Sequence, residues 1–352
     1  MRLKIMALFT GLIIVLLCLV SGIKTNTINP LAFFQTATAK GGFRNATLLT
    51  STPSLTPTPT PPAQTATPIP SPTATPSPTP AALVIYAAGD IAECFGRPPD
   101  QNNGAMITSN MLLETSGPIF TLGDDSNDDG SKTNYAKCYN PTWGRLLSRT
   151  YPVMGNHDRG PDIQGSAYFA YFAGRTGVWG HYSLDMGSWH IVVLNAECGV
   201  GGQDCSSGSA QEKWLKADLA ANRQKCIMAL WHQPLFTSGK EPPFLTGKSF
   251  WTDLYAAKAD IILNGHNHLY ERFLPMDPKG AITADGLREF VVGTGGADLQ
   301  PAIQPPLVSE VVRDVSTFGY LKLTLLEDSY EWQFVAQPGQ AFTDSGEANC
   351  HH

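Results

Sequence analysis

Five short apolar runs recur along the chain, and each stops abruptly at Gly, Asp, Asn or His. Residues 83–88 run into Gly89-Asp90, residues 118–122 into Gly123-Asp124, and residues 151–154 into Gly155-Asn156-His157-Asp158. Residues 226–231 run into His232, and residues 260–264 into Gly265-His266-Asn267-His268. An unbroken apolar run of this length predicts a strand buried on both faces of a sheet. Between the runs, helical spacing appears in residues 105–114 (Met106, Met111, Leu112), 211–222 (Trp214, Leu215, Leu219) and 250–259 (Trp251, Leu254, Tyr255). Strands alternating with helices predict an α/β sheet, whose ligands gather at the carboxyl ends of the strands. All five polar motifs fall there. Further on, residues 289–293 predict another strand, and residues 318–326 and 330–335 an antiparallel pair around Glu327-Asp328-Ser329.

The first eighty residues follow a different pattern. Arg2 and Lys4 precede an uncharged apolar stretch over residues 5–23, as in an export segment. Its length borders on the ~20 residues of a membrane span, so residues 1–24 read as a signal peptide or an N-terminal membrane anchor. Residues 25–80 read as a disordered Pro/Thr-rich linker or stalk, because such a composition cannot bury enough apolar surface to offset its ordering entropy. Residues 81–352 are left as one domain, near the upper end of the usual size. All 30 acidic residues fall in it, against 19 of the 24 basic ones, a formal charge of −11. That balance argues against nucleic acid as a partner. Cys94, Cys138, Cys198, Cys205, Cys226 and Cys350 make an even set, which in an oxidising compartment predicts up to three disulfides. Cys198 and Cys205 flank a Gly-rich stretch that they could close as a loop.

The motif residues offer carboxylate, amide oxygen and imidazole without thiolate, a donor set for hard-to-borderline cations. Glycine stands directly before the polar motif in four of the five cases, permitting a tight turn. His181 and His190 read as structural, and His351 with His352 as a frayed tail. Tyr168, Phe169, Tyr171 and Phe172 read as core packing.

Taken together, the five motifs, in this order and each after a predicted strand, resemble the calcineurin-like metallophosphoesterases and, within them, the purple acid phosphatase-like branch. The resemblance implies a four-layer α/β/β/α sandwich with two central mixed sheets. It implies two divalent or trivalent metal ions (Fe, Zn or Mn), with Asp124 bridging, Asp90 and His268 on the first, and Asn156, His232 and His266 on the second. It implies that His157 assists the leaving group of a phosphate monoester, with Asp158 either orienting His157 or filling an ordinary capping role. The implied reaction is attack by metal-activated hydroxide on a small-molecule phosphate ester. The chain departs from the family at Ala92, where many members have His, and at Asn127, where purple acid phosphatases have Tyr. Asn127 or solvent is left to complete the first site. Rival readings are a phosphodiesterase or nucleotidase with the same centre, and a surface-binding module without turnover. The leader implies an extracytoplasmic protein, secreted or attached through its N-terminus to membrane or cell wall.

Overall fold

The apolar runs pair into two mixed sheets in a computed structural model, which describes residues 82–200 and 204–351. The leader, the linker and His352 lie outside the described residues. The strands β1 (Leu83–Ala88), β2 (Ile119–Thr121) and β3 (Thr150–Tyr151) run parallel, and β1 continues antiparallel into a late meander. The second sheet begins with β4 (Tyr182–Met186), β5 (Trp189–Val193), β6 (Cys226–Leu230), β7 (Ile261–Asn264) and β8 (Tyr270–Phe273). It is completed by β9 (Arg288–Val292) and β10 (Glu310–Asp314) in the order β10-β8-β9-β7-β6-β5-β4, with β5, β6, β7 and β9 parallel. The meander is β11 (Gly319–Leu325), β12 (Ser329–Ala336) and β13 (Ser345–Asn349), giving the first sheet the order β13-β12-β11-β1-β2-β3.

Period-two alternation divides the core. Ile191, Val193, Met228, Leu230, Ile261 and Leu263 point between the sheets, where they meet Ile85, Leu321 and Leu323. Their neighbours Val192, Ile227, Ala229 and Ile262 point outward and pack beneath Leu215, Phe250, Trp251 and Leu254. A strand buried on both faces therefore reads as a continuous apolar run. The helices are α1 (Gly104–Leu113), α2 (Lys132–Asn134), α3 (Ser166–Tyr171), α4 (Ala210–Ala221) and α5 (Lys248–Ala256). Asn103 caps α1 through the Met106 N–H and Ser209 caps α4 through the Glu212 N–H, each satisfying an orphan donor of a first turn. Tyr168 and Phe172 are fully buried, with Phe172 meeting Tyr135 and Tyr139 edge-on and packing against Tyr168, so this aromatic cluster is core packing.

Two expectations are corrected. The third run forms only the short β3, because Pro152 has no N–H for a ladder and residues 152–155 leave the sheet. His351 is not frayed: its N–H donates to Asp260 Oδ1 at 2.6 Å, beside the Cys226–Cys350 disulfide. The other disulfides are Cys94–Cys138 and Cys198–Cys205. Among the described residues, no helix is long and apolar enough to cross a membrane.

His190 is structural. Its ring joins Asp185 at 2.7 Å and Asp218 at 2.9 Å, tying β5 to β4 and α4. Burial disfavours the imidazolium, but the two carboxylates outweigh it and raise the pKa. The ion pairs therefore contribute fully below the unfolded value of about 6.5 and fade as pH rises through the higher folded value. We predict that His190→Ala destabilises by a pH-dependent increment of about 1 kcal/mol, because the Asp185 side is solvent-screened. In urea titrations that increment is largest near pH 5–6 and shrinks above; a difference flat in pH counts against it.

Candidate metal centre

The carboxyl ends of β1, β2, β6 and β7 meet at one edge of the two sheets. The backbone closes the gap between them: Gly89 N–H donates to Val292 O, Asp90 N–H to Gly123 O, and Gly265 N–H to His232 O, all at 2.9 Å. The first residues past the strands then turn sharply. Asp90, Asp124 and His266 have φ of 59°, 52° and 72°, the left-handed region that non-glycine residues seldom occupy. Two glycines make room for them. A Cβ on Gly123 would fall 2.3 Å from the His232 ring, and one on Gly155 would fall 2.1 Å from the Asp124 nitrogen.

These turns bring donor atoms of Asp124, His232 and His266 within 4.8 Å of one another. Asp124 Oδ2 lies 3.2 Å from His232 Nε2, and Asn156 Oδ1 lies 3.1 Å from the same nitrogen. The His232 and His266 rings sit edge to face, 5.0 Å apart. Alongside, His268 Nε2 is 3.4 Å from Asp90 Oδ1, while Asp90 Oδ2 accepts the His266 N–H at 2.8 Å.

Outer contacts fix how the rings present themselves. His232 Nδ1 meets Leu122 O at 2.7 Å and His268 Nδ1 meets Asp298 O at 2.8 Å. A carbonyl only accepts, so both Nδ1 atoms carry hydrogen and both Nε2 atoms face the carboxylates, as in ligating histidines. Asp90 Oδ1 and Asn127 Oδ1 are buried oxygens without a hydrogen-bond partner. Oriented Nε2 atoms, clustered carboxylates and unspent buried oxygens together fit a cation.

The electrostatics agree. Burial penalises charge throughout, yet Asp124 raises the His232 pKa to about 10 and Asp90 raises that of His268 to about 9. His266, buried and repelled by His232, falls to about 4. Burial opposes ionisation of Asp124 too, but His232 and His157 hold its pKa far below the usual carboxylate range.

The remaining expected site residues separate. His157 stands over the cluster with a side chain 38% exposed, its Nε2 3.9 Å from Asp124 Oδ2 and its Nδ1 3.3 Å from Asp128 O. Its N–H donates to Asp124 Oδ1 at 2.7 Å. Asn127 lies beside it, with Nδ2 donating to Glu93 Oε1. Asp158 does not orient the His157 ring. Instead it is buried and accepts from the N–H groups of Asp125, Ser126 and Gly155 and from the Tyr135 hydroxyl, latching the β2 loop to the third motif.

Sequence reading missed Glu197. It lies past the end of β5, buried, bonded to Gln233 Nε2, with a pKa raised to about 7 by burial and by the Asp124 charge. The signal was present, since β5 is another apolar run that ends in polar residues, Asn195 and Glu197.

The calcineurin-like phosphoesterase family model matches residues 83–270. Purple acid phosphatase 22 of Arabidopsis thaliana is 29% identical over 228 residues, covering 55% of this chain and 50% of its own length. Probable inactive purple acid phosphatase 9 of the same plant is 26% identical over 175 residues, covering 44% and 26%. The chain thus spans half or less of these curated relatives. A purple acid phosphatase from yellow lupin (Lupinus luteus) seeds superposes with a TM-score of 0.62 at 19% identity, over 76% of this chain and 54% of its own, a likeness of fold.

Asp158 and His157 are adjacent but should respond differently to substitution. Asp158→Ala leaves three backbone donors and a buried hydroxyl unpaired, and should lower stability by roughly 3–5 kcal/mol. His157→Ala, at a half-exposed position, should cost less than about 1 kcal/mol. Chemical denaturation of both variants checks this, and equal losses would contradict it.

Proposed function

The chain belongs to the calcineurin-like phosphoesterase family, and from that membership we propose that it hydrolyses phosphate monoesters at a two-metal centre outside the cytoplasm. The observation that carries this reading is the convergence of Asp124, His232 and His266 donor atoms within 4.8 Å, from three separate strand ends. Asp124 would bridge, with Asp90 and His268 holding one ion and Asn156, His232 and His266 the other; iron, zinc and manganese all suit these donors. When bound, such ions activate a water and neutralise phosphoryl oxygens.

The chain's own groups do the rest. The carbonyls of Leu122 and Asp298 hold the His232 and His268 rings with Nε2 facing inward. The His157 N–H holds Asp124 from the opposite side. The His157 ring, anchored at Asp128 O and open to solvent, is placed to give a proton to a leaving oxygen from Nε2, a role imidazole suits near neutral pH. Asn127 replaces the tyrosine of the purple enzymes, so no tyrosinate charge-transfer colour is expected. Three disulfides support an oxidising compartment, and with it the export reading of residues 1–24. In a domain that is acidic overall, an anionic small-molecule ester would need local positive charge, which bound cations would supply.

One observation favours a second reading. Ala92 offers no ligand, so beside the bridging Asp124 the Asp90 side relies on Asp90, His268 and the neutral Asn127 Oδ1, with no third strong donor. A centre that held one ion there would be a binding module without turnover.

Metal analysis of the purified protein, together with hydrolysis of a chromogenic monoester and diester across pH, separates these readings. We expect close to two ions per chain and a preference for the monoester. Asp124→Ala should lose both metal and turnover, by more than the roughly 10–100-fold expected when only a ligand's outer partner is removed. His157→Ala should keep its metal and lose about 10²–10⁴-fold in kcat. One ion or none, with no turnover after supplying iron, zinc or manganese, would install the binding module instead.

A further inference from the structure

Beside His157 the surface opens into a cavity of about 1090 Å³, lined by Asn127, Asp128 and His157 on the side of the metal centre and by Phe95, Arg97 and Lys137 further out. It is far larger than a phosphate group needs. Phe95 is 62% exposed, with its backbone at φ 49°, a conformation costly for a bulky residue. The segment is nevertheless held firmly. The N–H groups of Cys94 and Phe95 both donate to the Asp128 carboxylate at 3.0–3.1 Å, Asn134 Nδ2 donates to it at 2.7 Å, and Cys94 is disulfide-bonded to Cys138. An exposed aromatic ring fixed in a strained turn at the mouth of a site is a binding surface rather than a core residue out of place.

The charges select further. In a domain with a formal charge of −11, Arg97 and Lys137 line this cavity, and neither side chain forms an ion pair or hydrogen bond among the described residues. Three carboxylates also line the cavity, and each already accepts hydrogen bonds from neutral donors. Glu93 accepts from Asn127 Nδ2 and the Asp298 N–H, Asp128 is committed as above, and Asp129 accepts the Ser131 N–H.

We propose that this cavity is a leaving-group site for phosphate esters that carry a planar ring and at least one further negative charge. Phe95 takes the ring, Arg97 and Lys137 take the charge, and the ester phosphate lies at the metal centre. The proposal rests on the phosphoesterase reading for its orientation, and the test separates the two.

The metal-loaded full chain is titrated with adenosine 5′-(α,β-methylene)diphosphate, a hydrolysis-resistant probe with both features, and is assayed on glycerol 2-phosphate, which has neither. The probe should bind the parent protein with a Kd at least 10-fold below the glycerol 2-phosphate KM. Base–aromatic stacking predicts that Phe95→Ala weakens probe binding about 10-fold, with Phe95→Tyr restoring it. Lys137→Met should weaken it about as much, and both variants should leave glycerol 2-phosphate kinetics unchanged. Probe binding indifferent to Phe95→Ala and Lys137→Met would overturn the proposal even if glycerol 2-phosphate is turned over. Phe95-dependent probe binding without hydrolysis of any ester would uphold the pocket and remove the phosphoesterase reading.

Discussion

The left-handed backbone at Asp90, Asp124 and His266 is the constraint on which the site depends. Each residue follows a parallel strand and must reverse direction at once to aim its side chain back over the sheet edge. For a residue with a Cβ this conformation costs about 1–2 kcal/mol, so three of them tax the fold by several kcal/mol. Such a cost persists only where the surroundings over-determine the geometry. Here they do so through backbone bonds that cross between the sheets and through glycines whose missing Cβ atoms leave room for His232 and Asp124. The two sheets are thus joined at this edge by the turns that also present the donors.

Burial adds a second cost that the same architecture meets. Asp90, Asp124, Asp125 and Asp158 are all buried within a short reach of one another, and burial opposes ionisation of such groups. Asp158 is satisfied by three backbone N–H groups and a phenol, while Asp124 has His232 and the His157 N–H. Asp90 Oδ1 and Asp125 Oδ1 are the exceptions, buried carboxylate oxygens with no hydrogen bond, and Asp90 Oδ1 faces the His268 ring. In a native fold an unspent buried oxygen marks a position kept for something other than protein. The cluster divides into an inner set that stabilises the loops and an outer set with capacity left for a ligand.

That division explains how much the sequence disclosed. β1, β6 and β7 were legible because strands buried on both faces have no polar interruptions, and β1 spans the residues expected. The donors after them were legible because polar residues after such a run have few structural reasons to be there. What stayed hidden depends on distance in the chain. Asp158 lies next to His157 in sequence, yet its partners lie 23 to 33 residues back, apart from Gly155. Glu197 belongs to the site only because β5 pairs with β6, and the pairing of Cys94 with Cys138 could not be chosen among six cysteines by spacing. β3 is short for a local reason visible in the sequence, since Pro152 is a poor ladder residue.

Asp128 shows why the chemistry and the cavity cannot be treated as separate features. Its carboxylate fixes the Cys94 and Phe95 backbone and the Asn134 amide, and its carbonyl oxygen stands 3.3 Å from His157 Nδ1. Since a carbonyl only accepts, that contact keeps hydrogen on Nδ1 and leaves Nε2 facing the cluster. The residue that sets the position of the exposed ring therefore also sets the tautomer of the proposed acid. A change at Asp128 itself would be felt both in the Phe95 loop, through its carboxylate, and at His157, through its carbonyl. The proposed leaving-group site and the proposed acid then share one anchor. The candidate metal donors sit on the ends of core strands, whereas the Phe95 loop and the Asp128 turn that holds it lie outside them.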